Sequence, residues 1–184
     1  MWLAAALAAT AFFYLPEISA SWSGHVSALP FPTAEEPPKV NRKLPQVGTG
    51  RIYGTARVID GDTLDIHGQR IRLQGIDAPE QDQTCFRDGR DWRCGAAAAD
   101  ALNREIRGRP VSCESRGKDK YRRFVAICSA GTTDLNNWVA RHGWAVAATG
   151  YGEDYVESAQ HAQAERLGIW AGEFASPEEW RSQR

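Results

Sequence analysis

Four carboxylates, Asp60, Asp62, Asp77 and Glu80, are crowded into one short stretch of a 184-residue chain. They are the hard oxygen donors that hold Ca²⁺ rather than a soft metal. Arg72 lies between the two acidic groups, with Ile71 and Leu73 pointing to the opposite face. An arginine that shares a face with carboxylates is either their ion-pair partner or an anion clamp, because its planar fork matches a phosphate bidentately. A second basic cluster follows at Lys118, Lys120, Arg122 and Arg123. Carboxylates, a metal and two arginines are what phosphodiester hydrolysis requires. The plain alternative is structural: Asp60-Gly-Asp-Thr63 is also a turn sequence and Asp77-Ala-Pro-Glu80 an ordinary loop.

These residues must be positioned by strands. Residues 51–60 alternate in character and predict a strand ending in a turn at Gly61. Thr63–Ile66 and Arg70–Gly75 predict two more, hinged at His67-Gly68, a pair suited to the positive φ of a tight hairpin. An alanine-rich helix is expected over Cys94–Arg107, punctuated by Gly108 and Pro110. Two strands then flank a polar turn near Lys120-Tyr121, and helices are expected over Asp134–His142 and Asp154–Leu167, each stopped by glycine. The predicted class is α+β, mainly β: a five-stranded barrel with three packed helices.

Composition divides the chain further. With 22 Lys+Arg against 23 Asp+Glu, the net charge of −1 excludes a uniformly basic surface, so a polyanion site must be local. Residues 100–125 supply that patch, with eight Lys/Arg against four Asp/Glu. Six of nine prolines precede residue 48, so 21–47 reads as a Pro-rich linker. Upstream, Trp2–Leu15 is an apolar run too short for a comfortable transmembrane helix of about 20 residues. Residues 1–20 are expected to be a signal peptide or a short membrane anchor, although no positively charged segment leads them. This points to export, periplasmic or secreted. The expected domain spans 48–175, and 176–184 reads as a C-terminal tail.

The four cysteines lack the short spacing of structural zinc sites. Cys113 and Cys128 are equidistant from the turn at Lys120-Tyr121 and should face each other across an antiparallel pair, within bridging range. Cys85–Cys94 follows by remainder, with four buried free thiols as the alternative.

Val58-Ile-Asp-Gly-Asp-Thr-Leu64, Ile71-Arg-Leu-Gln-Gly-Ile-Asp-Ala-Pro-Glu80 and Asp119-Lys-Tyr-Arg-Arg123 together resemble the signature segments of the staphylococcal nuclease family. The resemblance extends through Leu135–Ala145 and Ala164–Trp170, covering about Gly50 to Trp170. It implies an OB-fold barrel and Ca²⁺-dependent cleavage of DNA and RNA, single strands preferred, to 3′-phosphate products, by a monomer without a stable protein partner. Carried over by position, Asp62 and Asp77 are the calcium carboxylates, Ala78 offers its backbone carbonyl, and Thr63 lies beside the metal. Glu80 is the general base, Arg72 and Arg123 clamp the scissile phosphate, and Lys120, Tyr121 and Tyr151 contact the bound nucleotide.

Three features depart from the family pattern. Arg122 replaces a glycine, Thr149 stands where one of two base-stacking tyrosines is usual, and 81–93 is an insertion beside the site, either a lid or a disulfide-tied loop. His25, His67, His142 and His161 read as turn or surface residues, and Trp138, Trp144 and Trp170 as core. Arg104, Arg107 and Arg109 form a solvated helix end, or extend a phosphate track. Two rival functions remain on the sequence alone: a non-catalytic OB-fold binding module for nucleic acid or protein, and an envelope- or polysaccharide-associated phosphodiesterase.

Overall fold

The computed structural model describes residues 50–148, 150 and 153–184. The expected export segment 1–20, the linker 21–47, His25, Thr149 and Tyr151 lie outside the described residues.

Five strands close into a barrel: β1 (Arg51–Asp60), β2 (Thr63–Ile66), β3 (Gln69–Leu73), then, later in the chain, β7 (Pro110–Lys118) and β8 (Phe124–Ala130). Their order is β3-β2-β1-β7-β8, closed by a parallel β3–β8 pairing in which Arg72 stands opposite Val125. The other barrel pairings are antiparallel. This is the predicted five-stranded barrel. Between β3 and β7 come β4 (Ile76–Asp77), the hairpin β5 (Cys85–Arg87) and β6 (Arg90–Trp92), and helix α1 (Cys94–Ile106). After β8 follow β9 (Thr133–Asp134), α2 (Leu135–Arg141), β10 (Val146–Ala147), α3 (Val156–Ala164), a 3₁₀ turn (Gly168–Ala171) and α4 (Pro177–Ser182).

Inward side chains of the barrel strands, Leu64, Ile66, Ile71, Leu73, Val111 and Ala126, are fully buried. They pack with Leu102 and Ile106 of α1 and Leu135 and Val139 of α2. That burial follows from the period-2 strand and period-3.6 helix patterns meeting on one core. Asp134 caps α2 by accepting the Asn137 N–H. Buried Asn136 accepts from the Cys128 N–H and donates to the carbonyls of Gln74 and Ala126, which locks α2 onto β3 and β8.

Both expected disulfides are present, Cys113–Cys128 and Cys85–Cys94, and the first joins residues paired directly across β7–β8. The insertion is thus a disulfide-tied hairpin, with Cys94 at the start of α1. Four readings need correction. The third helix is Val156–Ala164, shorter than Asp154–Leu167, because the chain turns out at Arg166 with φ 53°. The third strand is Gln69–Leu73, ending before Gly75, whose φ is 76°. Arg109 is a structural tie rather than a solvated or phosphate-facing group, bonding Glu105 and the carbonyls of Glu105, Ile106 and Ala130. The C-terminal tail is not a plain tail: residues 177–182 form α4, with a complete Ser176–Glu179 capping box and Pro177 in its first turn.

Candidate active site

Barrel closure brings the acidic segments together around Arg72. Its position on β3 places the guanidinium against Asp62, at the β1–β2 turn, and at 2.7 Å from Asp77 Oδ1 on β4. Asp62 is anchored three ways: its carboxylate meets Arg72, accepts the Thr63 hydroxyl at 3.0 Å and accepts the Ala78 N–H at 2.7 Å. Thr63 and Ala78 therefore meet Asp62 itself, Ala78 through its N–H. Burial pushes the Asp62 carboxyl up to about 7; Arg72 opposes that rise, while Asp60 and Asp77 add to it. Burial would lower the pKa of Arg72, but Asp62 and Asp77 hold it above its usual value, so it stays a cation.

The four carboxylates do not form one ligand cluster. Among the described residues, no three His, Cys, Asp or Glu side chains converge as an ion cage. Asp60 turns back to accept the Asp62 N–H, and Glu80 turns toward a different arginine. The compact pair is Asp62 and Asp77.

Glu80 is placed by backbone contacts that composition does not reveal. Gly95, in the first turn of α1, approaches so closely that a Cβ there would meet the Glu80 carbonyl oxygen at 1.7 Å. Gln83 is fully buried and acts as a hub: its N–H donates to the Glu80 carbonyl and its side-chain oxygen accepts the Glu80 N–H. Its amide also donates to the Ala175 carbonyl at 2.7 Å. The C-terminal segment is thereby tied to the floor of the site.

Along that tie comes Arg181 of α4, a site residue the sequence reading missed. Its Nη1 donates to Glu80 Oε1 at 2.9 Å and Asp77 Oδ1 at 3.1 Å, and its Nη2 to Asp77 Oδ2 at 2.9 Å. The Ser176-Pro-Glu-Glu179 capping pattern was the available signal for its helix. Nothing in the sequence pairs positions 104 residues apart.

The second basic group sits in the β7–β8 turn. Arg123, two residues before the Val125 that faces Arg72, donates its Nε to Asp119 at 2.7 Å. Tyr121 is two-thirds exposed, with the Lys120 ammonium over its ring at 5.0 Å. Arg122, expected to stand in place of a glycine, takes φ 65°, so the turn has a glycine-like backbone just before Arg123.

The closed barrel carries, around Arg72, the buried carboxylates and guanidinium whose charge types phosphodiester hydrolysis uses. Comparison with known proteins agrees. A sequence model described as "Staphylococcal nuclease homologue" matches residues 70–172, more than half the chain. The chain belongs to the staphylococcal nuclease family. It is 42% identical over 123 residues to a succinoglycan biosynthesis protein, ExoI, of Rhizobium meliloti, a match covering 65% of this chain and 64% of that protein. An uncharacterized endonuclease of Haemophilus influenzae is 30% identical, with 72% and 76% covered. The thermonuclease of Staphylococcus intermedius is 33% identical, with 66% and 77% covered.

Proposed function

We propose that the protein is an exported, Ca²⁺-dependent nuclease that cuts phosphodiester bonds of DNA and RNA, single strands preferred, leaving 3′-phosphates. The observation that carries this reading is the buried Asp62–Arg72–Asp77 cluster. Its donors fit a hard divalent cation by type and by charge. Among the described residues, three carboxylates, Asp62, Asp77 and Glu80, pair with two guanidiniums, Arg72 and Arg181, so acidic groups outnumber basic ones. Asp62 and Asp77, with the Ala78 carbonyl, are the residues that would hold Ca²⁺, which when bound would polarise the phosphate and neutralise developing charge.

The chain's own groups supply the rest. Glu80 takes a proton from the attacking water, one of its oxygens being held by Arg181. Arg72 and Arg123 stabilise equatorial oxygens that carry more negative charge in the transition state than in the substrate. Lys120 and Tyr121, exposed beside Arg123, and Tyr151 receive the nucleotide. Two disulfides support an oxidising, extracytoplasmic location. The reading keeps the chain a monomer, its N-terminal segment either cleaved or anchoring.

The test is digestion of single-stranded DNA by the purified chain in millimolar Ca²⁺. Activity abolished by EDTA and restored by Ca²⁺ is expected; no cleavage at any alkaline pH refutes the proposal. A second reading, hydrolysis of a phosphodiester in envelope polysaccharide, is favoured by the 42% identity to a protein named for succinoglycan biosynthesis. A substrate panel containing both polymers separates the two.

A further inference from the structure

Arg181 occupies the oxygens that a directly bound cation needs. An aspartate carboxylate has about four lone-pair positions. At Asp77, Oδ1 already accepts from Arg72 and Arg181 and Oδ2 from Arg181 again. That takes three of the four positions, and a cation at the remaining one, on Oδ2, would sit within a few ångströms of a guanidinium of like sign, an arrangement that costs energy. We propose that Arg181 is a built-in competitor for the site's divalent cation, and that it sets the cation concentration at which the nuclease works. This rests on the reading of Asp62 and Asp77 as cation ligands.

The competitor is attached by contacts that do not depend on Asp77. Gln83 donates to the Ala175 carbonyl, and Phe86 and Glu173 exchange two backbone hydrogen bonds at 2.8 Å. The capping box starts α4 at Ser176. Arg184 pairs with Asp82 and lies 4.8 Å over the Trp180 ring. The insertion hairpin and α4 thus form one wall of the site, and a cation that displaces Arg181 moves a side chain, not the helix. The displaced guanidinium stays tethered at the mouth, so it competes at a fixed effective concentration. Two ligands that exclude each other at one carboxylate are linked reciprocally: whatever weakens Arg181 on Asp77 tightens the cation there.

Calorimetric titration of Ca²⁺ into the full chain, without substrate, reads this directly. Arg181→Gln should tighten the Ca²⁺ Kd by about 5-fold or more, the lower end of usual coupling between linked sites. Arg181→Lys should fall between the two, since an ammonium cannot fork across both Asp77 oxygens. Arg184→Gln, which removes the Asp82 ion pair and the Trp180 ring contact but nothing on Asp77, should keep the parent Kd. An unchanged or weaker Kd in Arg181→Gln, with Ca²⁺ binding intact in the parent, overturns the competition alone. Should that variant fail to fold by circular dichroism, a Kd for the lysine variant equal to the parent's overturns it equally. If neither parent nor variants bind Ca²⁺, the cation assignment itself falls and takes the competition with it.

Discussion

Two aspartate–arginine pairs serve this site, and they are electrostatic opposites. Asp62–Arg72 is enclosed by the barrel rim, whereas Asp119–Arg123 lies in the β7–β8 turn. Burial and its acidic neighbours leave Asp62 protonating near neutrality despite its arginine. At Asp119 burial also pushes upward, but hydrogen bonds from the Arg123 side chain and from the Arg123 and Tyr121 N–H groups hold the carboxyl below its ordinary value. The same two residue types therefore do different jobs. One pair is an anion-rich cluster still short of positive charge; the other is a self-contained brace that fixes Arg123 within its turn.

The largest effect should come from removing the arginines one at a time. Arg72→Gln and Arg123→Gln should each lose about 10²–10³ in rate, as for a lost transition-state donor. Only Arg72→Gln should also cost about 3 kcal/mol of stability, because it leaves the buried Asp62 carboxyl without its cation, whereas Asp77 keeps Arg181. Denaturant unfolding beside the kinetics checks this, and equal stability losses would erase the distinction. Next, Gly95→Ala should cost about 10² in rate while leaving the β7–β8 turn untouched, since a displacement near 1 Å is enough at a catalytic base. Full activity in that variant would show that Glu80 is not held by α1.

The pairs should also separate by pH in Ca²⁺-free protein. Asp62 has a folded pKa above its unfolded value, so its contribution to stability is complete below about pH 4 and is lost as pH rises through about 7. Asp119 has a depressed folded pKa, so its contribution is present above about pH 4 and is lost as pH falls through that lower value. Melting curves of Asp62→Asn should lack the first slope and those of Asp119→Asn the second. The smallest change is Arg122→Gly, which relieves a left-handed residue at the cost of a freer unfolded chain. A gain of about 1 kcal/mol or less is expected, with activity kept.

The barrel was legible because its strands carry regular alternation and its turns carry glycine, and the Cys113–Cys128 pairing because a hairpin is a local object. Asp62, Arg72 and Asp77 were legible as chemistry-bearing types on closely spaced strands. Less legible was how the carboxylates divide, since an Asx turn spends Asp60 on the Asp62 N–H instead of on the site. Gln83 carries no signal that sets it apart within the 81–93 insertion, yet it is wholly buried. Arg181 was the least visible, because its contact with Asp77 depends on the closed barrel, the tied hairpin and α4 all being in place.

The two disulfides also bear on how the chain matures. Four cysteines allow three pairings, and the one adopted joins nearest neighbours in sequence, 9 and 15 residues apart. Each native bridge closes a short loop, at small entropic cost, inside a hairpin or at its foot. The parallel β3–β8 closure, in contrast, must bring together segments some fifty residues apart. During oxidative folding the correct bridges are therefore the kinetically accessible ones, able to form before the barrel shuts and without a mispaired intermediate to unscramble.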